Sequence, residues 1–252
     1  MAVALTTLIE EADRYLSAGK IHDYCPNGLQ VEGRPQVGRI VSGVTASQAL
    51  VDAAIEARAD LLLVHHGYFW KGENPCITGM KQRRLKALLK HDISLVAYHL
   101  PLDVHPEVGN NVQLALQLGI DVEGPLDPAN PKVVGLLGAL AEPVSAAAFA
   151  ARVEQVLGRT PLLVGSDRVI RRVGWCTGGG QGYIDQAIAA GVDLFITGEA
   201  SEQTFHSARE NGVAFIAAGH HATERYGVQA LGEYLARRFA VEHQFIDIPN
   251  PV

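Results

Sequence analysis

The sequence has few cysteines, no long apolar run and no excess of positive charge. Its 3 cysteines lie far apart and form no C-x-x-C pair, which argues against a disulfide framework and against a thiolate zinc site. No apolar run approaches the roughly 20 residues that a membrane-spanning helix needs. Acidic residues enter the opening stretch MAVALTTLIEEADRYL too early for the apolar core of a signal peptide. We therefore expect a soluble, cytoplasmic protein with no membrane partner.

The charge balance narrows the choice of partners. The formal net charge is −6, so the surface does not attract a phosphate backbone over a broad area and we do not expect nucleic acid as a partner. The 252 residues are 48% apolar. That length and composition suit one large α/β domain or two smaller ones.

An internal repeat relates residues 47–64 to residues 180–197. The residue types of Gln48, Asp52, Ala54, Ile55, Asp60 and Leu61 recur at the same spacing as Gln181, Asp185, Ala187, Ile188, Asp193 and Leu194. Each copy has the pattern of a strand, an amphipathic helix and a short apolar strand, which predicts βαβ units and parallel sheet. With DPANPKV as a linker, we predict two related α/β halves with mostly parallel sheets, 1–127 and 128–252.

Histidines and carboxylates follow apolar strands in both halves. His65 and His66 end the run LLLVHH, and an H-x-x-x-acid pattern after a strand occurs twice in the sequence. Ligands bind beyond the carboxyl ends of strands in open α/β sheets. We therefore predict a two-metal site at strand ends from both halves, with the ligands His65, His66, Asp103, His220 and Glu224. The alternative for the histidine pair is two surface side chains in a loop.

The local backbone decides how these side chains can converge. Adjacent residues of a regular strand point to opposite faces, but the turn that Gly67 allows lets two histidines diverge toward neighbouring ions. His220 and Glu224 are four residues apart and share a face on a helical turn. Pro101 argues against a regular helix interior before Asp103, so we expect Asp103 to lie in a loop.

Three imidazoles and two carboxylates suit Zn, Mn, Fe or Ni, and a carboxylate can bridge two divalent ions. Glu224 is our predicted bridge. His99 is a candidate catalytic residue, with a further ligand or a structural histidine as alternatives. Glu199 is a candidate general base or substrate contact, with a helix-capping role as the alternative.

Aromatic residues follow the histidine pair directly. Tyr68, Phe69 and Trp70 precede Lys71, and such a cluster can stack a base while the cation binds phosphate. A packed aromatic loop is the simpler interpretation. The glycine-rich stretch 177–182 lacks the Lys-Ser/Thr of a P-loop, so we interpret it as a tight turn.

Seven segments carry a family resemblance when they are taken together. They are DYCPNGLQVEG, VTASQAL, VHHGYFWKG, HLPLDVHPEVGNN, CTGGGQGYIDQA, FITGEASEQTFHSARE and AAGHHATERYG. The sequence resembles the dinuclear-metal family of GTP cyclohydrolase I type 2 homologues, the NGG-one-interacting-factor-three-like proteins, and is most similar to their short bacterial branch. The resemblance spans nearly the whole chain and is weakest from about residue 127 to 170.

The resemblance implies two interlinked α/β halves and places the family's metal ligands on the five predicted residues, with two divalent ions per subunit. It also implies a ring-shaped homohexamer. Two functional hypotheses follow. The first is a metal-dependent hydrolase acting on a nucleotide or related phosphorylated small molecule, with GTP ring opening as the reaction that the family name suggests. The second is a non-catalytic, metal-binding hexameric scaffold or regulatory protein.

Overall fold

The structure is a computed structural model that describes residues 2–130, 132–165 and 167–252. The chain forms two compact units that alternate along the sequence. The first comprises residues 1–108 and 227–249, and the second comprises residues 109–226 and 250–252. These limits differ from the division at residues 127 and 128, because the strand 121–125 pairs within the sheet of the second unit and the strand 242–245 returns to the first.

The regular elements alternate between strand and helix over much of the chain. The strands are β1 (Val3–Ala4), β2 (Gly28–Val31), β3 (Gln36–Val37), β4 (Arg39–Thr45), β5 (Leu61–His66), β6 (Ser94–Ala97), β7 (Asp121–Pro125), β8 (Leu136–Ser145), β9 (Leu162–Val164), β10 (Val169–Trp175), β11 (Leu194–Thr197), β12 (Ala214–Ala217) and β13 (Glu242–Phe245). The helices are α1 (Leu5–Leu16), α2 (Gln48–Glu56), α3 (Gly79–Lys90), α4 (Leu100–Val104), α5 (Asn110–Leu118), α6 (Ala146–Leu157), α7 (Ile184–Ala189), α8 (Glu202–Glu210), α9 (His220–Thr223) and α10 (Arg225–Phe239).

The first unit is a sheet with helices on both faces. Its strand order is β13-β4-β5-β6-β2, with β2 antiparallel to β6 and the other neighbours parallel. Leu61 and Leu63 of β5 pack with α1 and α10, whereas Leu62 and Val64 pack with α2 and α3. Burial on both faces explains why β5 has a continuous apolar run instead of an alternating pattern.

The second unit has a sheet of order β7-β8-β10-β11-β12-β9. Its central strands β10, β11 and β12 are parallel, and the outer pairings are antiparallel. On one face of this sheet, Ile196 of β11 packs with Phe149 of α6. On the other face, Phe195 of β11 packs with α7 and α8. The parallel strands are those joined by helical crossovers, while β7 pairs antiparallel with the next strand along the chain.

The predicted α/β class is confirmed, and the two copies of the repeat form corresponding elements. β4, α2 and β5 in the first unit match β10, α7 and β11 in the second, and a further parallel strand follows each. Pro131 of the predicted linker lies outside the described residues. Among the residues that are described, no helix combines the length and apolar character needed to cross a membrane.

Candidate metal centre

The last two residues of β5 are His65 and His66, and both rings are held at Nδ1. The Nδ1 atom of His65 lies 2.9 Å from the carbonyl oxygen of Tyr98, and that of His66 lies 3.2 Å from the Thr45 hydroxyl. A carbonyl oxygen only accepts, so His65 donates from Nδ1 and keeps its lone pair on Nε2. This is the tautomer that a ligand bound through Nε2 requires.

The imidazoles of the first unit converge. The ring centroids of His65 and His66 are 4.5 Å apart. One ring nitrogen from each of His65, His66 and His99 lies within 4.8 Å of the others. Gly67 follows the pair where a Cβ would collide with Gln30 and Ala97, so the chain can turn there only without a side chain. The side chains are positioned to bind a metal ion.

Asp103 lies in a helix, and our expectation of a loop is wrong. The short helix α4 begins directly after His99 and has Pro101 in its first turn. Proline is tolerated there because the first amides of a helix have no intrahelical acceptor. The helix brings Asp103 Oδ1 to 3.5 Å from Nε2 of His65, and both side chains are buried.

His99 is held by residues that the sequence analysis did not select. Its Nδ1 lies 2.9 Å from Oδ1 of Asp23, and its backbone N–H donates to the Asn27 side chain at 2.7 Å. Burial raises the pKa of Asp23, but hydrogen bonds from His99 and Asn27 outweigh it and hold that pKa below its ordinary value. The available signal was the position of Asp23 and Asn27 within DYCPNGLQVEG, the first segment of the family resemblance.

In the second unit, His220 stands between two carboxylates. Its Nε2 lies 3.2 Å from Oε2 of Glu224, which confirms that the two residues share a face. Its Nδ1 lies 2.6 Å from Oε1 of Glu199. Burial lowers the pKa of His220, but its bonds with Glu224 and Glu199 outweigh that and raise the pKa to about 9. Ser201, not Glu199, caps the following helix by accepting from the Thr204 amide.

The glycine-rich turn packs directly against these ligand candidates. Gly178 has a φ of 67°, and a Cβ at this residue would collide with Oε1 of Glu224 and approach Nε2 of His220 at 3.1 Å. Its amide donates to the hydroxyl of Thr223, one residue before Glu224. The predicted tight turn therefore also packs against the Glu224 side chain and limits where it can lie.

The aromatic residues that follow the histidine pair have different surroundings. Tyr68 is buried and donates from its hydroxyl to the carbonyl oxygen of Ala46. Trp70 stands edge-on to His99, with ring centroids 5.0 Å apart. The packed-loop interpretation therefore fits Tyr68, and Trp70 belongs to the surroundings of the imidazoles.

The donor chemistry fits divalent cations. Asp103 and Glu224 are buried carboxylates, and the buried negative charge is of the kind that a metal ion compensates. Cys25 lies near Asp23 and His99, but burial and the Asp23 carboxylate raise its pKa to about 12. The thiol therefore stays protonated at neutral pH, and the available donors are imidazole nitrogens and carboxylate oxygens.

The fold and these side chains define an α/β protein whose strand ends carry imidazole and carboxylate groups suited to metal binding. A family model described as Duf34/NIF3 (NGG1p interacting factor 3) matches residues 3–251. The chain belongs to this family, as the resemblance in sequence predicted.

Similar proteins span the chain from end to end. A Pseudomonas aeruginosa protein named GTP cyclohydrolase 1 type 2 homolog is 76% identical over 251 residues, covering 100% of both chains. An Escherichia coli protein of the same name is 56% identical and covers 98% of both. Solved structures of protein ybgI and of TTHA1606 from Thermus thermophilus have TM-scores of 0.95 and 0.90 and identities of 54% and 37%. Each match covers 99% of this chain and 100% of the other.

Substituting Gly178→Ala should destabilise the chain, because the new Cβ meets the Glu224 carboxylate and the backbone keeps a positive φ. The expected loss in the free energy of unfolding is about 1–3 kcal/mol, measured by urea denaturation of metal-free protein. Gly182→Ala is the control, since a Cβ there meets no atom within 4 Å. Equal urea midpoints for the two variants would contradict this account of the turn.

His220 should make stability depend on pH in chelator-treated protein. Its pKa is raised from 6.5 to about 9 by folding, so its contribution is fully present below pH 6.5 and is lost as the pH rises through about 9. Glu199→Gln should lower the pKa of His220 and reduce this pH dependence. NMR titration of the His220 ring and urea unfolding at several pH values measure both effects. Glu202→Gln, an exposed change on α8, is the control, and an unshifted His220 in the Glu199 variant would refute the prediction.

Proposed function

We propose that the protein is a cytoplasmic, dinuclear metal-dependent hydrolase that acts on a nucleotide or a related phosphorylated small molecule. The proposed ligands of two divalent ions are His65, His66, Asp103, His220 and Glu224, with Zn, Mn, Fe or Ni as the metal. We also propose the homohexameric ring that the family resemblance implies. The name GTP cyclohydrolase 1 type 2 homolog, carried by relatives that match the chain over its whole length, supports GTP ring opening as the first reaction to test.

The observation that carries the proposal is that hydrogen bonds at Nδ1 fix the rings of three predicted ligand histidines. The Nδ1 atoms of His65, His66 and His220 are each bonded to a fixed oxygen, namely the Tyr98 carbonyl, the Thr45 hydroxyl and the Glu199 carboxylate. Hydrogen bonding of the remote ring nitrogen is the usual means of fixing the tautomer and orientation of metal-binding histidines. Three such rings beside buried carboxylates favour a metal centre over three unrelated core histidines.

The chain's own residues then have separate tasks. Bound divalent cations would supply Lewis-acid activation of the scissile bond. His99, held through Nδ1, would accept a proton at Nε2. Glu199 orients His220 and raises its basicity, and a role as general base or substrate contact stays a prediction for it. Trp70 packs edge-on against the His99 ring and helps to hold it in place.

A non-catalytic role is the second candidate, and the burial of the ligands favours it. His65 is 0% exposed, Glu224 is 3% exposed and Asp103 is 6% exposed. Ions held by such side chains can be closed off from substrate, as structural sites are. The protein would then be a metal-bearing hexameric scaffold or regulator.

Metal loading followed by a substrate screen tests the proposal. Protein stripped with a chelator is loaded separately with Mn, Fe, Zn and Ni, analysed for bound metal and assayed with GTP and a panel of nucleotides. We expect two ions per chain and turnover that is lost in the His65→Ala, Glu224→Ala double variant. A matched double variant, His91→Ala with Glu10→Ala, alters exposed residues of the same types and should behave as the unmodified chain.

Three results would separate the alternatives. Two ions with turnover support the hydrolase. Two ions without turnover on any compound of the panel refute it in favour of the scaffold. Metal contents that are the same in the unmodified chain and the His65, Glu224 double variant contradict both.

A further inference from the structure

A buried carboxylate outside the predicted ligand set holds His99. The side chain of Asp23 is 2% exposed, and it accepts hydrogen bonds on both of its oxygens. Oδ1 accepts from His99 Nδ1 at 2.9 Å and from the Tyr24 amide at 2.7 Å. Oδ2 accepts from Asn27 Nδ2 at 3.0 Å and from the Leu100 amide at 2.9 Å. Three donors besides the imidazole therefore fix the Asp23 carboxylate.

The main chain of His99 is held by the same loop. The Asn27 side chain accepts from the His99 amide at 2.7 Å while it donates to Asp23. The imidazole is also confined by two aromatic edges, since the ring centroids of Tyr24 and Trp70 each lie 5.0 Å from that of His99. The loop that carries Asp23 and Asn27 thus fixes the positions of both the backbone and the ring of His99.

The partner of Nδ1 distinguishes His99 from its neighbours. His65 and His66 are held by a carbonyl and a hydroxyl, which are neutral, whereas His99 is held by a carboxylate. A carboxylate accepts but cannot donate, so a carboxylate at Nδ1 favours the Nδ1–H tautomer and leaves the lone pair of the ring on Nε2.

We propose that Asp23 is a positioning residue that fixes His99 as the Nδ1–H tautomer, so that Nε2 is the proton acceptor of the site. The second part rests on the proposed hydrolase function. In that reaction the attacking water would give its proton to Nε2 of His99, while the Nδ1–H of His99 remains bonded to Asp23 and no proton passes to the carboxylate. Asp23 then acts through His99 and needs no contact with substrate.

The tautomer of His99 tests the first part without metal or substrate. Two-bond nitrogen–proton NMR spectra of the full chain with ¹⁵N-labelled histidine, free of metal and at a pH where the ring is neutral, identify which nitrogen carries the proton. We expect Nδ1–H for His99 in the unmodified chain, and a shift toward Nε2–H in both Asp23→Asn and Asp23→Leu. Asp13→Asn is the control, because Asp13 accepts from the hydroxyl of Tyr98, the residue before His99, but does not bond His99.

Two results would overturn the inference. The first is an Nε2–H tautomer of His99 in the unmodified chain. The second is an unchanged tautomer in both Asp23 variants while their far-ultraviolet circular dichroism spectra remain native. If Asp23→Leu fails to fold, Asp23→Asn has nearly the same shape and decides alone.

Kinetics with the substrate found in the metal-loading screen test the second part. Asp23→Asn should lower kcat by about 100-fold and change KM by less than about twofold, with unchanged metal content. Asp13→Asn should keep the kinetic constants of the unmodified chain. An unchanged kcat in Asp23→Asn would refute a proton-transfer role for His99. Absence of turnover in the unmodified chain would refute the hydrolase proposal, and the NMR result for Asp23 would still stand.

Discussion

Hydrogen bonds to the Nδ1 atoms of the strand-end histidines are the constraint on which the site depends. An imidazole that can rotate or change tautomer offers no defined lone pair to a cation. The structure prevents both by bonding Nδ1 of His65 to the Tyr98 carbonyl and Nδ1 of His220 to the Glu199 carboxylate. These acceptors lie within two residues of the end of a strand, so the sheets fix where the ring nitrogens are bonded.

Each βαβ copy is followed by a histidine whose Nδ1 bonds a carboxylate, but the carboxylates come from different parts of the chain. His99 follows β6 and bonds Asp23, and His220 follows β12 after Gly219 and bonds Glu199. Both histidines have a carboxylate at Nδ1. Each is also followed four positions later by an acidic residue, Asp103 or Glu224. The copies differ in where the carboxylate comes from. Glu199 follows the neighbouring parallel strand, whereas Asp23 comes from a loop that precedes the repeat.

The origin of these carboxylates explains what the sequence could predict. Strand-end residues follow from periodicity and from the rule that ligands lie beyond the carboxyl ends of strands, so His65, His66 and the H-x-x-x-acid pairs were found as candidates. The α/β class followed from the same periodicity. Asp23 lies 76 residues before His99, and no periodic pattern connects them, so only the folded chain shows the pair. The sequence does not predict the helix that carries Asp103, because a proline breaks a helix interior but is compatible with a first turn, and the pattern does not show which position Pro101 takes.

A crystal structure of the zinc-loaded chain, with anomalous differences collected above and below the zinc edge, tests the central claim most directly. The account predicts that ions are bound through Nε2 of His65, His66 and His220, with the Nδ1 bonds to Tyr98, Thr45 and Glu199 preserved. Coordination through Nδ1, or zinc peaks away from these rings, would contradict it.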